Sequence, residues 1–143
     1  MQRLKVVIDT NILVSAILTP KGPSAKIVSA ILEEMIELCI SSAIYQEYHR
    51  VLNYERFKLD PLKVERFLTA LKNVAQWFTP TKTITKIIQD DFDNRFLECA
   101  EEAEANFLIT GNRNHFNFDR FKKTVILSPG EFWLFLQIYL NLE

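Results

Sequence analysis

The chain has 143 residues, with 17 basic and 18 acidic side chains and a formal net charge of −1. That length suits one domain, and a hydrophobic fraction of 48% with only 3 glycines excludes a disordered or fibrous chain. Near-neutral charge excludes a surface that is basic overall, although it leaves room for a local basic patch. In chain order, the first predicted element is a strand at Val6-Val7-Ile8, three β-branched residues in a row that suit burial on both faces. Asp9-Thr10-Asn11 follows abruptly, and Ile12 to Leu18 then reads as a helix. Thr19-Pro20-Lys21-Gly22-Pro23 is a break. Ser24 caps a second helix predicted to run to about Ile36, and Glu37 to Ser41 reads as a second strand.

Ser42 opens a third helix to about Asn53. Pro61 opens a fourth, with Leu62, Val64, Phe67, Leu68, Leu71, Val74 and Ala75 on its apolar face, running to about Phe78. A third strand is expected near Trp77–Thr81, with a loop to Gln89. Phe92 to Glu104 is helical in pattern, Phe107 to Thr110 is a buried strand stopped by Gly111, and Val125 to Leu127 is the last strand. Ser128-Pro129 starts the final helix, with proline suited to the first turn. Strands alternating with helices imply one α/β domain over 1–143, a Rossmann-like three-layer α/β/α fold around a mainly parallel sheet of about five strands.

Cys39 and Cys99 sit in apolar segments without a C-x-x-C or a nearby histidine, so buried free thiols are expected rather than zinc or disulfides. A strand this close to the N-terminus leaves no space for a signal peptide, and the expected location is cytoplasmic. The apolar run Phe132 to Leu142 is broken by Gln137 and Asn141 and falls short of the ~20 residues of a membrane span.

The acids fall at the ends of strands, where open α/β sheets bind ligands. Asp9 ends the first strand, and Thr110-Gly111-Asn112 ends a strand expected to lie beside it. Asp90, Asp91 and Asp93 open a helix at the same edge. Each has a simpler use: Asp9 or Thr10 as a helix cap, the aspartate cluster against the helix dipole, and Glu47 in an i,i+3 pair with Arg50. Of the first pair, Thr10 suits the cap better. Gathered in one place, Asp9, Glu47 and Asp93 would be hard oxygen ligands of the kind that suits Mg²⁺ or Mn²⁺.

In this order these residues resemble the PIN-domain ribonucleases, particularly the small single-domain toxins of toxin–antitoxin pairs. The likeness rests on Val7-Ile8-Asp9-Thr10-Asn11, Tyr45-Gln46-Glu47-Tyr48, Asp93-Asn94-Arg95-Phe96-Leu97-Glu98-Cys99-Ala100 and Leu108-Ile109-Thr110-Gly111-Asn112. His115-Phe116 and Ile126-Leu127-Ser128-Pro129-Gly130-Glu131-Phe132 extend it over essentially the whole chain. The resemblance implies a metal-dependent endoribonuclease, with Asp9, Glu47 and Asp93 as catalytic metal ligands for Mg²⁺ or Mn²⁺. Asn11 and Thr110, with Asn112, would be supporting polar groups. Many relatives carry a fourth acid where this chain has Asn112, which brings no charge for a second metal ion.

Partners implied are RNA, an antitoxin protein and, through the apolar final helix, a second copy of the chain or a partner peptide. Arg113, His115, Arg120, Lys122 and Lys123 form a basic region past the expected cleft that would hold phosphates; Phe116 or Phe118 would stack on a base. Solvated loop charges and core aromatics are the simpler alternative there. Asp119 would compensate for the fourth acid missing at Asn112, with a surface loop acid the simpler reading. Three competing functions stay in view. A catalytically weakened domain acting as an RNA- or partner-binding module is kept open by Asn112. A phosphoacceptor receiver domain lacks its lysine after the last strand, and a haloacid-dehalogenase-type phosphatase would need an acid where Asn11 stands.

Overall fold

The computed structural model describes residues 3–83, 91–112, 116 and 118–141, with the side chains of residues 91–93 outside the description. Strand β1 (Lys5–Ile8) is followed by helices α1 (Thr10–Leu18) and α2 (Pro23–Leu32), β2 (Glu37–Ile40) and α3 (Ser42–Leu52). A 3₁₀ turn at Glu55–Phe57 leads into α4 (Pro61–Val74) and β3 (Gln76–Trp77). Then come α5 (Asp91–Ala103), β4 (Phe107–Ile109), β5 (Arg120–Phe121), β6 (Thr124–Leu127) and α6 (Pro129–Tyr139).

The sheet runs β3-β2-β1-β4-β6-β5. All pairings are parallel except that of β5 with β6. Val6, Val7 and Ile8 of β1 have no exposed surface, nor do Leu38 to Ile40 of β2. Alternate side chains of a strand point to opposite faces, so total burial of three in succession means that both faces of the centre are covered. Helix α5 packs across β1, β2 and β4, while α2 packs against α1, α4 and α6. The two free thiols, Cys39 and Cys99, are both buried in this core. No helix among the described residues is long and apolar enough to cross a membrane.

Three predicted features differ. The sheet has six strands rather than about five, because residues 120–125 form a short antiparallel hairpin. Helix α4 stops at Val74 rather than near Phe78, which puts the third strand at Gln76–Trp77 rather than near Trp77–Thr81: Ala75 turns extended, and Gln76 and Trp77 pair with Cys39 and Ile40. Helix α2 stops at Leu32 rather than Ile36. Glu34 adopts a left-handed conformation (φ 59°), while its N–H and that of Met35 return to the Ile31 and Ala30 carbonyls. That is a Schellman closure built without glycine.

Candidate functional site

The carboxyl end of β1 carries the candidate site. Asp9 continues the ladder through its N–H to the Ile109 carbonyl at 3.0 Å, and its extended backbone makes it the N-cap of α1. One carboxylate oxygen, Oδ1, accepts from the Asn11 N–H at 2.7 Å. The other, Oδ2, accepts from the Thr110 hydroxyl. Thr110 follows β4, is completely buried, and accepts in turn from the Asn112 N–H at 3.0 Å. A carboxylate only 4% exposed is thus held at a helix N-terminus, where amide dipoles favour negative charge.

The cap belongs to Asp9 and not to Thr10, the better candidate by sequence. Thr10 lies in the first helical turn, and its buried hydroxyl has no hydrogen-bond partner among the described residues.

Glu47 lies on α3, whose start is capped by the Ser41 hydroxyl accepting from the Ile44 N–H. The next residue, Tyr48, is fully buried and donates its hydroxyl to the Ile8 carbonyl at 2.5 Å. Ser41 ends β2 and Tyr48 reaches the end of β1, so α3 runs along the carboxyl edge of the sheet. The Glu47 side chain is 13% exposed and pairs with Arg50, the simpler of its two expected uses. That hydrogen bond, together with the charge of Glu47, holds the Arg50 guanidinium more firmly protonated than usual.

Asp93 falls in the first turn of α5, and its side chain lies outside the described residues, as do Arg113 and His115 altogether. Lower on α5, Asn94 is fully buried and Glu98 is 8% exposed, paired with Arg95 at 2.9 Å. The remaining basic residues are not gathered beside Asp9. Lys122 and Lys123 form the turn entering β6, at the amino edge of the sheet, where Lys123 pairs with Glu104 at 3.3 Å. Arg120 lies exposed on the outermost strand, and exposed Asp119 precedes it. A four-residue strand spans about 13 Å, so the hairpin's turn and the Asp9 end face opposite edges. Phe116 is buried in the core, in edge-to-face contact with Phe118.

Residues 5–114 match the family model of the PIN domain. The chain belongs to the PIN-domain family. An uncharacterized protein of Methanocaldococcus jannaschii is 32% identical over 115 residues, covering 78% of this chain and 73% of the relative. PIN domains are generally nucleases that bind nucleic acid and use divalent metal ions.

The donors of this PIN domain suit such an ion by type. Asp9 and Glu47 present oxygen, and both cysteines are enclosed in the core. Oxygen donors favour Mg²⁺ or Mn²⁺, and magnesium needs only one or two direct carboxylates. No group of three or more His, Cys, Asp and Glu side chains that could hold a metal is assembled among the described residues.

Sequence reasoning did not single out Tyr48, Asn94 or Glu98. Helical periodicity alone would have placed Tyr48 with Ile44 and Val51 on the apolar face of α3, but its bond to Ile8 has no sequence signal.

Proposed function

We propose that this PIN domain is a metal-dependent endoribonuclease that hydrolyses RNA phosphodiester bonds at the carboxyl edge of its sheet. Asp9, Glu47 and Asp93 would hold Mg²⁺ or Mn²⁺. The observation that carries the reading is the Asp9 carboxylate, buried at the strand end and gripped on one oxygen by Asn11 and on the other by Thr110. A divalent ion bound there would lower the pKa of a water and polarise the scissile phosphate.

The protein's own contribution is orientation. The Thr110 hydroxyl and the Asn11 N–H hold the Asp9 carboxylate in one position, and the Asn112 N–H fixes the Thr110 hydroxyl. Arg50 pairs with Glu47 and must release it for Glu47 to serve as a ligand. The motif resemblance to small single-domain toxins extends the reading to a cytoplasmic toxin restrained by an antitoxin protein. Asn112 and the Glu47–Arg50 pair favour a second reading, a weakened PIN domain that binds RNA or a partner without cutting.

Wild type and Asp9→Asn, incubated with labelled RNA and Mn²⁺ with and without chelator, separate the two. Asparagine is as good an N-cap as aspartate, so the variant should fold. Wild type is expected to cut only without chelator, and the variant to lose more than about 100-fold in rate, the upper range for disturbing a metal's outer partners. Cleavage that survives in the variant or in chelator rules out this site. Binding without cleavage in Mn²⁺ establishes the second reading.

A further inference from the structure

Beyond Glu47, the chain between α3 and α4 builds a feature that the proposed chemistry does not use. The Tyr54 and Phe57 rings stack, with centroids 6.2 Å apart and planes inclined by 18°. Arg56 lies over both, its guanidinium carbon 5.0 Å from each centroid. Arg50 covers Tyr54 at 5.5 Å and donates to its hydroxyl while pairing with Glu47. Neither ring belongs to the hydrophobic core or packs against it among the described residues. Arg50 and Arg56 are themselves exposed. Two half-buried aromatic rings that do not serve the core are therefore held together under Arg56, with Arg50 fixed on the Tyr54 hydroxyl.

We propose that Tyr54, Phe57, Arg50 and Arg56 form a stacking subsite for an unpaired nucleotide of a single-stranded nucleic acid, next to Glu47. The chemistry is complementary on both counts: aromatic and guanidinium planes accept the face of any base, and the guanidinium edges accept its phosphate. An antiparallel or helical duplex keeps its bases stacked inside and cannot offer that face. Arg50 joins the subsite to Glu47, so a strand seated on Tyr54 and Phe57 would lie beside the proposed cleavage site. Only this last placement rests on the nuclease reading; the subsite itself does not.

The test is fluorescence anisotropy in chelator, using a labelled 12-nucleotide oligouridine, its thymidine counterpart and a blunt RNA duplex. Wild type is expected to bind both single strands. Arg56→Gln and Phe57→Leu should each weaken that binding at least about fivefold, the low end of what one stacked base contributes. Arg56 is exposed, so Arg56→Gln carries little folding risk, and matching thermal melts confirm intact variants. The subsite is overturned if folded variants bind as wild type does, if the loss is as large on duplex, or if wild type binds neither strand. Metal-dependent cleavage with an unaltered KM in Arg56→Gln would sink the subsite and leave the nuclease reading standing. Weakened binding in a protein that cuts under no metal would do the reverse.

Discussion

The Thr110 hydroxyl donates to the Asp9 carboxylate across 101 positions of sequence, tying together the carboxyl ends of β1 and β4. Thr110 also accepts from the Asn112 N–H, so one buried hydroxyl satisfies an anion and an amide. Thr110→Val keeps the shape and removes both interactions. It should destabilise the protein by about 2–3 kcal/mol, the scale for losing a charge-assisted hydrogen bond in a buried site. Thr110→Ser should restore most of that. Urea denaturation measures both, and a valine variant as stable as wild type would mean that the hydroxyl does not hold Asp9.

Tyr48 fastens α3 to the sheet by a single buried hydrogen bond to the Ile8 carbonyl. Burial pushes its phenol well above the ordinary value, aided by the neighbouring Cys99 and Asp9, so it stays a donor at any physiological pH. Tyr48→Phe should cost about 1 kcal/mol and loosen the helix that carries Glu47. Hydrogen exchange should then speed up along α3 more than along α5. Uniform exchange over both helices would show that the bond does not anchor α3.

Much of this was legible because buried parallel strands leave an unmistakable pattern. Val6-Val7-Ile8 and Leu108-Ile109 are apolar without alternation, and a polar residue follows each where the strand leaves the sheet. The start of α6 was equally plain: Ser128 and Glu131 form a reciprocal capping box. The ends of α2 and α4 were not. Glu34 takes a left-handed conformation that glycine normally marks, so it does not announce a stop. Strands of two residues, β3 and β5, exist only through their partners. Lys122 and Lys123 follow Thr110 closely in sequence, but they form the turn into β6, and linear proximity does not reveal which edge of the sheet a turn occupies. The Tyr54–Phe57 stack fell in a segment between helices, where periodicity says nothing.

Cys39 and Cys99 give the fold an alkaline limit. Burial pushes each thiol up from 9.0 to about 12. In the unfolded chain they ionise near pH 9, whereas the folded protein holds both protons until much higher pH. The native state therefore binds more protons above pH 9, and stability falls as pH rises from about 9 towards 12. Denaturation midpoints at pH 8, 9 and 10 should decline, and more steeply than in a Cys39→Ala, Cys99→Ala double variant. Equal slopes would show that the thiols do not contribute. Thiol reagents at pH 8 should label neither cysteine until the protein is unfolded.

Asn112 is the sharpest handle on the metal chemistry. Its backbone N–H serves Thr110 whatever its side chain is, so Asn112→Asp alters charge without removing that bond. In chelator the new carboxylate adds negative charge at the Asp9 end of the sheet, and like charges in a partly enclosed site repel by about 1 kcal/mol. The melting temperature should then fall by about 2–4 °C for a chain of this size. A divalent ion that binds only the native state reverses the sign, because each added ligand charge tightens binding and tighter binding stabilises the fold. Titration with Mn²⁺ should therefore raise the melting temperature of Asn112→Asp more than that of wild type, and raise Asp9→Asn least of the three. If Mn²⁺ stabilises all three proteins equally, the ion sits elsewhere and the Asp9 end is not the metal site.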